Sequence, residues 1–129
     1  MAKNKVSHFE IPTTDFKKAQ SFYGKVFDWK FDSYDESEGE YLMTMTVDSD
    51  KDGMPAEKGG INGGFYKKGS KNDHPSVVVE TDSIDATAKA IEAAGGKITE
   101  AKHPIGEWGF MADFTDPDGN ELSLWEKAK

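Results

Sequence analysis

The chain reads as an α+β protein made of two tandem βαβββ modules whose strands form a curved sheet of mixed, largely antiparallel pairing. Three observations predict this. A strand-patterned segment followed by a helix-patterned one occurs twice, 68 residues apart; the segments that end the two halves correspond at 59 residues; and each half has room for two more strands between its helix and its end.

From Lys5 to Ile11 apolar and polar residues alternate as in a half-buried strand, and Pro12, which has no backbone donor, is expected to close the run. Thr14 or Asp15 can cap the helix that follows. Ala19, Phe22, Tyr23, Val26 and Phe27 recur at helical spacing and predict its inner face. Two strands are expected in WKFDSYD (residues 29–35) and EYLMTMTVD (residues 40–48), then a loop in the polar stretch DSDKDGMPAEKG (residues 48–59). The half closes with GGINGGFYKK.

In the second half, Phe9, Ile11, Asp15, Phe16 and Val26 map onto Val77, Val79, Ser83, Ile84 and Ala94. Strand falls on strand, helix on helix and cap on cap, with Asp82 and Ser83 answering Thr14 and Asp15. Gly95 and Gly96 supply the left-handed residue that ends the second helix. KITEAKH and FMADFTD are the next strands, and DPDGN is a tight turn into the last one. At the shorter spacing Gly60, Asn62, Phe65 and Tyr66 lie over Gly119, Glu121, Leu124 and Trp125. The difference in spacing assigns about nine extra residues to the middle of the first half, where the polar loop lies. One domain therefore spans 5–127, with module one at about 5–68 and module two at about 74–127.

With 129 residues, 36% of them hydrophobic and 31% charged, the chain has the composition of a folded protein with one core. Its net charge of −8 is spread along the sequence, which disfavours nucleic acid and anionic membranes as partners. Cysteine is absent, so disulfides, thiolate catalysis and thiolate-bound metals are excluded; any metal must use His, Asp, Glu or water. MAKNKVSHFEI lacks the apolar run of about seven to fifteen residues of a signal peptide, and nowhere do about eighteen apolar residues run together. A cytoplasmic protein is expected.

HFEIPTTDFKKAQSFYGKVFDW near the start and FTDPDGNELSLWE near the end, within two such modules, resemble the vicinal oxygen chelate superfamily: glyoxalase I, extradiol dioxygenases, fosfomycin-resistance enzymes and bleomycin-binding proteins. The resemblance covers essentially the whole chain. GGINGG, AAGGKI and DPDGNELSLW look most like small glyoxalase-like proteins. The resemblance implies that each module forms half of a cup, that metal-using members hold a divalent ion through one side chain from the first and one from the last strand of each module, and that chains of this length often form homodimers.

Carried over residue by residue, those places are His8, Gly64 (with Asn62 two residues earlier on the same face), Ser76 and Ser123. Only His8 is a strong ligand. A divalent ion needs about three or four donors at about 2 Å, and neutral serine hydroxyls replace carboxylate or imidazole poorly. A displaced set of His8 with His74, Glu10 or Glu121 could hold Ni, Zn, Mn or Fe. Alternate residues lie about 6.6 to 7 Å apart along a strand, however, so the ion would have to move with them.

The expectation is therefore a metal-free protein, without cofactor, that binds a small organic molecule. The alternative is a metal-dependent lyase or isomerase of the lactoylglutathione-lyase type, or a related dioxygenase-superfamily enzyme, with Glu10 or Glu121 as the group that moves a proton. An inward Glu10 could equally pair with Lys30 at the rim. The glycine at residue 64 is expected to enlarge the cavity. Phe110, Ala112 and Phe114 share one face of their strand and, with Trp125 beside Ser123, are candidate lining; the same aromatics can instead fill the core. Trp108 is a candidate lip, and His103 is expected in a solvated loop. GGINGG lacks the spacing of a phosphate loop and leads into a strand.

Overall fold

The structure, a computed structural model, describes residues 4–33, 41–69 and 73–129. It groups into two units, residues 8–75 and residues 76–129, the latter joined by the described residues before His8.

In the first unit the alternating segment forms β1 (Val6–Thr13) and the helical pattern forms α1 (Phe16–Phe27). Three strands follow: β2 (Lys30–Ser33), β3 (Tyr41–Met45) and β4 (Gly63–Lys67). Residues 34, 35 and 40 of the two expected middle strands lie outside the described residues. β1 pairs in parallel with β4, β4 antiparallel with β3, and β3 antiparallel with β2. β1 runs through Pro12, one residue past its expected stop. The ladder there is continued by the Thr13 carbonyl, which accepts from the Lys68 N–H at 3.0 Å and asks no donor of the proline.

Asp15 is the N-cap of α1, its carboxylate accepting from the Lys17 N–H at 2.9 Å, and Asp28 closes the helix in the left-handed conformation. Ala19 packs with Leu42 and Phe65, ringed by Ile11, Phe16, Tyr23, Trp29 and Phe31. The buried stripe is thus centred on residues 16, 19 and 23, not on the expected set: Phe22, Val26 and Phe27 are each 56% exposed. Apolar side chains flank Ala19 on both sides, so periodicity alone does not choose the centre. The small residue does, because it lets the helix approach the sheet.

The second unit repeats the plan with β5 (Ser76–Glu80), α2 (Ile84–Ala93), β6 (Lys97–Ile105), β7 (Gly109–Thr115) and β8 (Glu121–Lys127). β5 pairs in parallel with β8, and β7 lies antiparallel between β8 and β6. The Lys5 carbonyl accepts from the Glu80 N–H at 2.9 Å. Ser83 caps α2 by accepting from Ala86, and Gly95, at φ 100°, ends it as expected. Ile84, Ala112 and Leu124 form the core, with Val79, Ile91, Phe110 and Phe114 packed on it.

Strand β6 is longer than KITEAKH. It carries irregularities between Ile98 and Glu100 and between Glu100 and His103, then runs on to Ile105. His103 therefore stands in a strand, opposite Met111, and not in a loop; the bulges absorb the register that sequence alternation did not show. In the turn after β7 the Asp116 carboxylate accepts from the backbone of Asp118 and Asn120 and from the Asn120 side chain. Those bonds, the Asn120 side chain first, hold its carboxyl below the usual range. Among the described residues no helix is long and apolar enough to cross a membrane.

Candidate functional site

Residues paired across strands point to the same side of a sheet. In the first unit Ile11, Leu42 and Phe65 face α1. The opposite face carries Glu10, paired with Gly64, and Met43, also paired with Gly64; His8 and Asn62 come two residues earlier on their strands. Four of the expected site residues thus share one face. Glu10 is 3% exposed and keeps an interaction partner within the protein. A carboxyl group held at that depth must be satisfied locally.

Gly64 does not open a space. A Cβ on it would run into Cε1, Cζ and the hydroxyl of Tyr41, so the phenol ring fills the volume that the missing side chain leaves. Tyr41 itself pairs with Tyr66. Its ring therefore leans along β4, across Gly64, toward the Asn62 end. At that end the Asn62 Oδ1 accepts two backbone hydrogen bonds, from Thr46 at 2.8 Å and Val47 at 3.1 Å. Its Nδ2 is buried and has no hydrogen-bond partner among the described residues. His74 lies before β5, as expected, with Nδ1 3.1 Å from the Pro75 carbonyl oxygen. A groove of about 550 Å³ lies at the end of β3, lined by Thr46, Val47, Asp48, Ala56 and Glu57, none of them an expected site residue.

In the second unit Ser123 pairs with Val78 on β5 and Asp113 on β7. Its hydroxyl donates to the Asp113 carboxylate at 2.6 Å, with both residues buried, at 2% and 5% exposure. That short bond is of the charge-assisted kind. Trp125 and Glu121 share this face, as does Ser76, whose Oγ is buried without a partner among the described residues.

Phe110 and Phe114 do not share it. They pair with Glu126 and Leu122 and pack beside Ile84 and Leu124, on the helix side. The Asp113–Ser123 register decides this, because it puts every other residue of β7 with Ser123 and the phenylalanines on the alternate positions. Trp108 is exposed in the β6–β7 turn.

Three contributors were not anticipated. Asp113 could have been found, since it alternates with Phe114 in FMADFTD and so belongs on the polar face. Tyr41 gave no signal, because its role depends on how far its ring reaches along the neighbouring strand. Glu126 accepts from the Ile84 N–H at 2.7 Å, placing a carboxylate at the start of α2, with Lys102 3.8 Å away. That is a structural duty, remote from Ser123 by strand parity.

The places that a divalent ion would use fit it poorly. Gly64 has no donor and its space is taken by a ring; Ser123 is a neutral hydroxyl already bonded to a carboxylate. Among the described residues no three His, Asp or Glu side chains converge as a metal cluster.

Comparison with known proteins agrees with the architecture. The family model described as Glyoxalase/Bleomycin resistance protein/Dioxygenase superfamily matches residues 5–124. Protein CFP32 of Mycobacterium tuberculosis is 25% identical over 121 residues, which are 91% of this chain and 43% of that one. The chain thus spans less than half the length of that relative. A Vibrio parahaemolyticus protein named "Probable lactoylglutathione lyase" is 28% identical over 128 residues, 96% of this chain and 91% of that one. Among solved structures, protein BH1468 of Bacillus halodurans superposes with a TM-score of 0.71 at 14% identity, covering 99% of this chain and 97% of the other. The Streptomyces coelicolor methylmalonyl-CoA epimerase, bound to 2-nitronate-propionyl-CoA, gives 0.69 at 16% identity, covering 97% and 98%. At those identities the structures attest the fold alone.

Proposed function

The chain belongs to the glyoxalase/bleomycin resistance protein/dioxygenase superfamily, and from that premise we propose that it binds a small organic molecule, without a metal, on the helix-distal face of its first unit. The observation that carries this reading is the Glu10–Gly64 pair with the Tyr41 ring laid over the glycine. Where the resemblance puts a metal-holding side chain, this chain has none. Beside that position stand a carboxyl group, an imidazole two residues away and an aromatic ring. Such a set suits a flat organic ligand oriented by one or two hydrogen bonds. His8 and Glu10 orient the ligand's polar group, and the Tyr41 ring offers an apolar wall.

Equilibrium dialysis of purified protein against Ni, Zn, Mn, Fe and Co tests the reading. No ion should be retained at one per chain. One ion held stoichiometrically and tightly would overturn it.

The near full-length match to the Vibrio protein supports a second reading, a lyase or isomerase of the lactoylglutathione-lyase type. On that reading the protein turns over methylglyoxal–thiol adducts, and His8→Ala abolishes both turnover and metal uptake. A homodimer is compatible with either reading, and light scattering on the purified chain measures it.

A further inference from the structure

A buried amide that uses its oxygen and leaves its nitrogen unpaired is an unstable arrangement in a closed protein: an unsatisfied buried donor costs about 1–3 kcal/mol. Asn62 has this arrangement. It is 9% exposed, its Oδ1 is held by the Thr46 and Val47 N–H groups, and its Nδ2 has no hydrogen-bond partner among the described residues. Flipping the amide does not relieve this, because Nδ2 would then face two backbone donors. Oδ1 is locked, and the donor is aimed by default.

What it is aimed at follows from the sheet. Asn62 shares its face with Gly64 and Glu10, and the nearest feature along β4 is the Tyr41 ring that leans over Gly64 from the far end. Gly64 has no side chain with which to meet the amide. We infer that Asn62 is the specificity-determining donor of the proposed site, and that its Nδ2 takes a neutral carbonyl-type oxygen of the ligand when the Tyr41 ring swings off Gly64. The buried Glu10 carboxyl on the same face disfavours a carboxylate or phosphate ligand, which narrows the class to ketones, aldehydes, esters and amides with an apolar body. A donor fixed in advance discriminates strongly against a ligand of the same shape that lacks the acceptor, because that ligand leaves the buried N–H unpaired. This inference rests on the reading of the first unit's face as a ligand site.

The test uses acetophenone and ethylbenzene, which share a shape and differ in the carbonyl oxygen, against the full chain labelled with nitrogen-15. Acetophenone should shift the Asn62 side-chain NH₂ signals together with the Tyr41 ring signals, and should bind about tenfold tighter than ethylbenzene. Asn62→Asp keeps an oxygen for the Thr46 and Val47 N–H groups but loses the donor, so that preference should fall to near unity. The wild-type NH₂ measurement stands even if the variant folds poorly. If acetophenone moves the Glu10 and Gly64 backbone signals but not the Asn62 NH₂, or if the preference survives in Asn62→Asp, this inference fails while the ligand-site reading stands. If neither probe moves any signal on that face, both fail.

Discussion

At the centre of the last strand of the first unit stands Gly64, flanked by Glu10 on β1 and Met43 on β3; at the matching place in the second stands Ser123, flanked by Val78 on β5 and Asp113 on β7. The strand pairing is the same in both. The buried carboxyl, however, has changed sides, lying on the first strand of one unit and the third strand of the other. Repetition has preserved the backbone ladder and let the polar group migrate. A ligand-handling role argued for one unit therefore does not transfer to the other by symmetry. Ser123 closes a bond within its own sheet, while the glycine at residue 64 yields its place to a ring from a neighbouring strand.

The comparison extends to the helices. α1 covers its sheet with aromatic contacts: Tyr23 stacks on Trp29 with ring centres 5.1 Å apart and lies 5.0 Å from Phe65. α2 is alanine-rich and brings Ile84 and Ile91 against Leu124 and Ala112. Phe65 and Leu124 occupy matching places and are both 1% exposed.

The largest effect should come from that pair. Phe65→Ala should cost about 3–5 kcal/mol and Leu124→Ala about 2–5, with the first the greater, because Phe65 also meets the Tyr23 and Phe31 rings. Urea unfolding of both variants measures the order, and a larger loss from Leu124→Ala would break the view that the aromatic unit is the more tightly packed.

Next comes the centre of each last strand. Gly64→Ala should cost about 1–3 kcal/mol, since its new methyl must displace the Tyr41 ring, and Tyr41→Ala should relieve that cost in the double variant. Ser123→Ala meets no such obstruction but removes one bond to the buried Asp113 carboxylate, for about 1–3 kcal/mol, with no rescue from a ring deletion. A double-variant cycle separates the two mechanisms, and additivity of Gly64→Ala with Tyr41→Ala would sink the account of the first.

The smallest effect concerns the β7–β8 turn. The Asp116 carboxyl is held below its ordinary range by bonds from Asn120, Asp118 and Gly119. A depressed folded pKa adds stability that is present above the unfolded value and is lost as pH falls through the folded one. The contribution should therefore fade below about pH 4. Carboxyl titration by NMR should place Asp116 below the exposed carboxylates of the 48–59 loop, and Asn120→Ala should bring it back toward them.

Much of the architecture was written in local pattern. Alternation, helical spacing, the Asp15 and Ser83 caps and the turn at DPDGN each depend on residues a few positions apart, so they survive without knowledge of the fold. Their repetition gave the βαβββ plan. His8, Glu10, Asn62 and Gly64 also came out on one face, because alternation fixes parity within a strand and the parallel pairing of β1 with β4 keeps it. Phe110 and Phe114 were placed on the wrong side for the converse reason. Parity within β7 says that they face together but not which way, and only the register against β8 decides. Likewise the stripe on α1 was visible while its centre was not.

The sequence by itself determined the order and kind of elements, the internal repeat, the absence of thiol chemistry and the scarcity of strong metal ligands, since these follow from composition and short-range spacing. Tertiary structure alone decided that Tyr41 fills the space over Gly64, that Ser123 is bound to Asp113, and that Asn62 keeps a donor in reserve. Each of those depends on distances between strands brought together by pairing, and such distances are properties of a packed sheet that no linear spacing encodes.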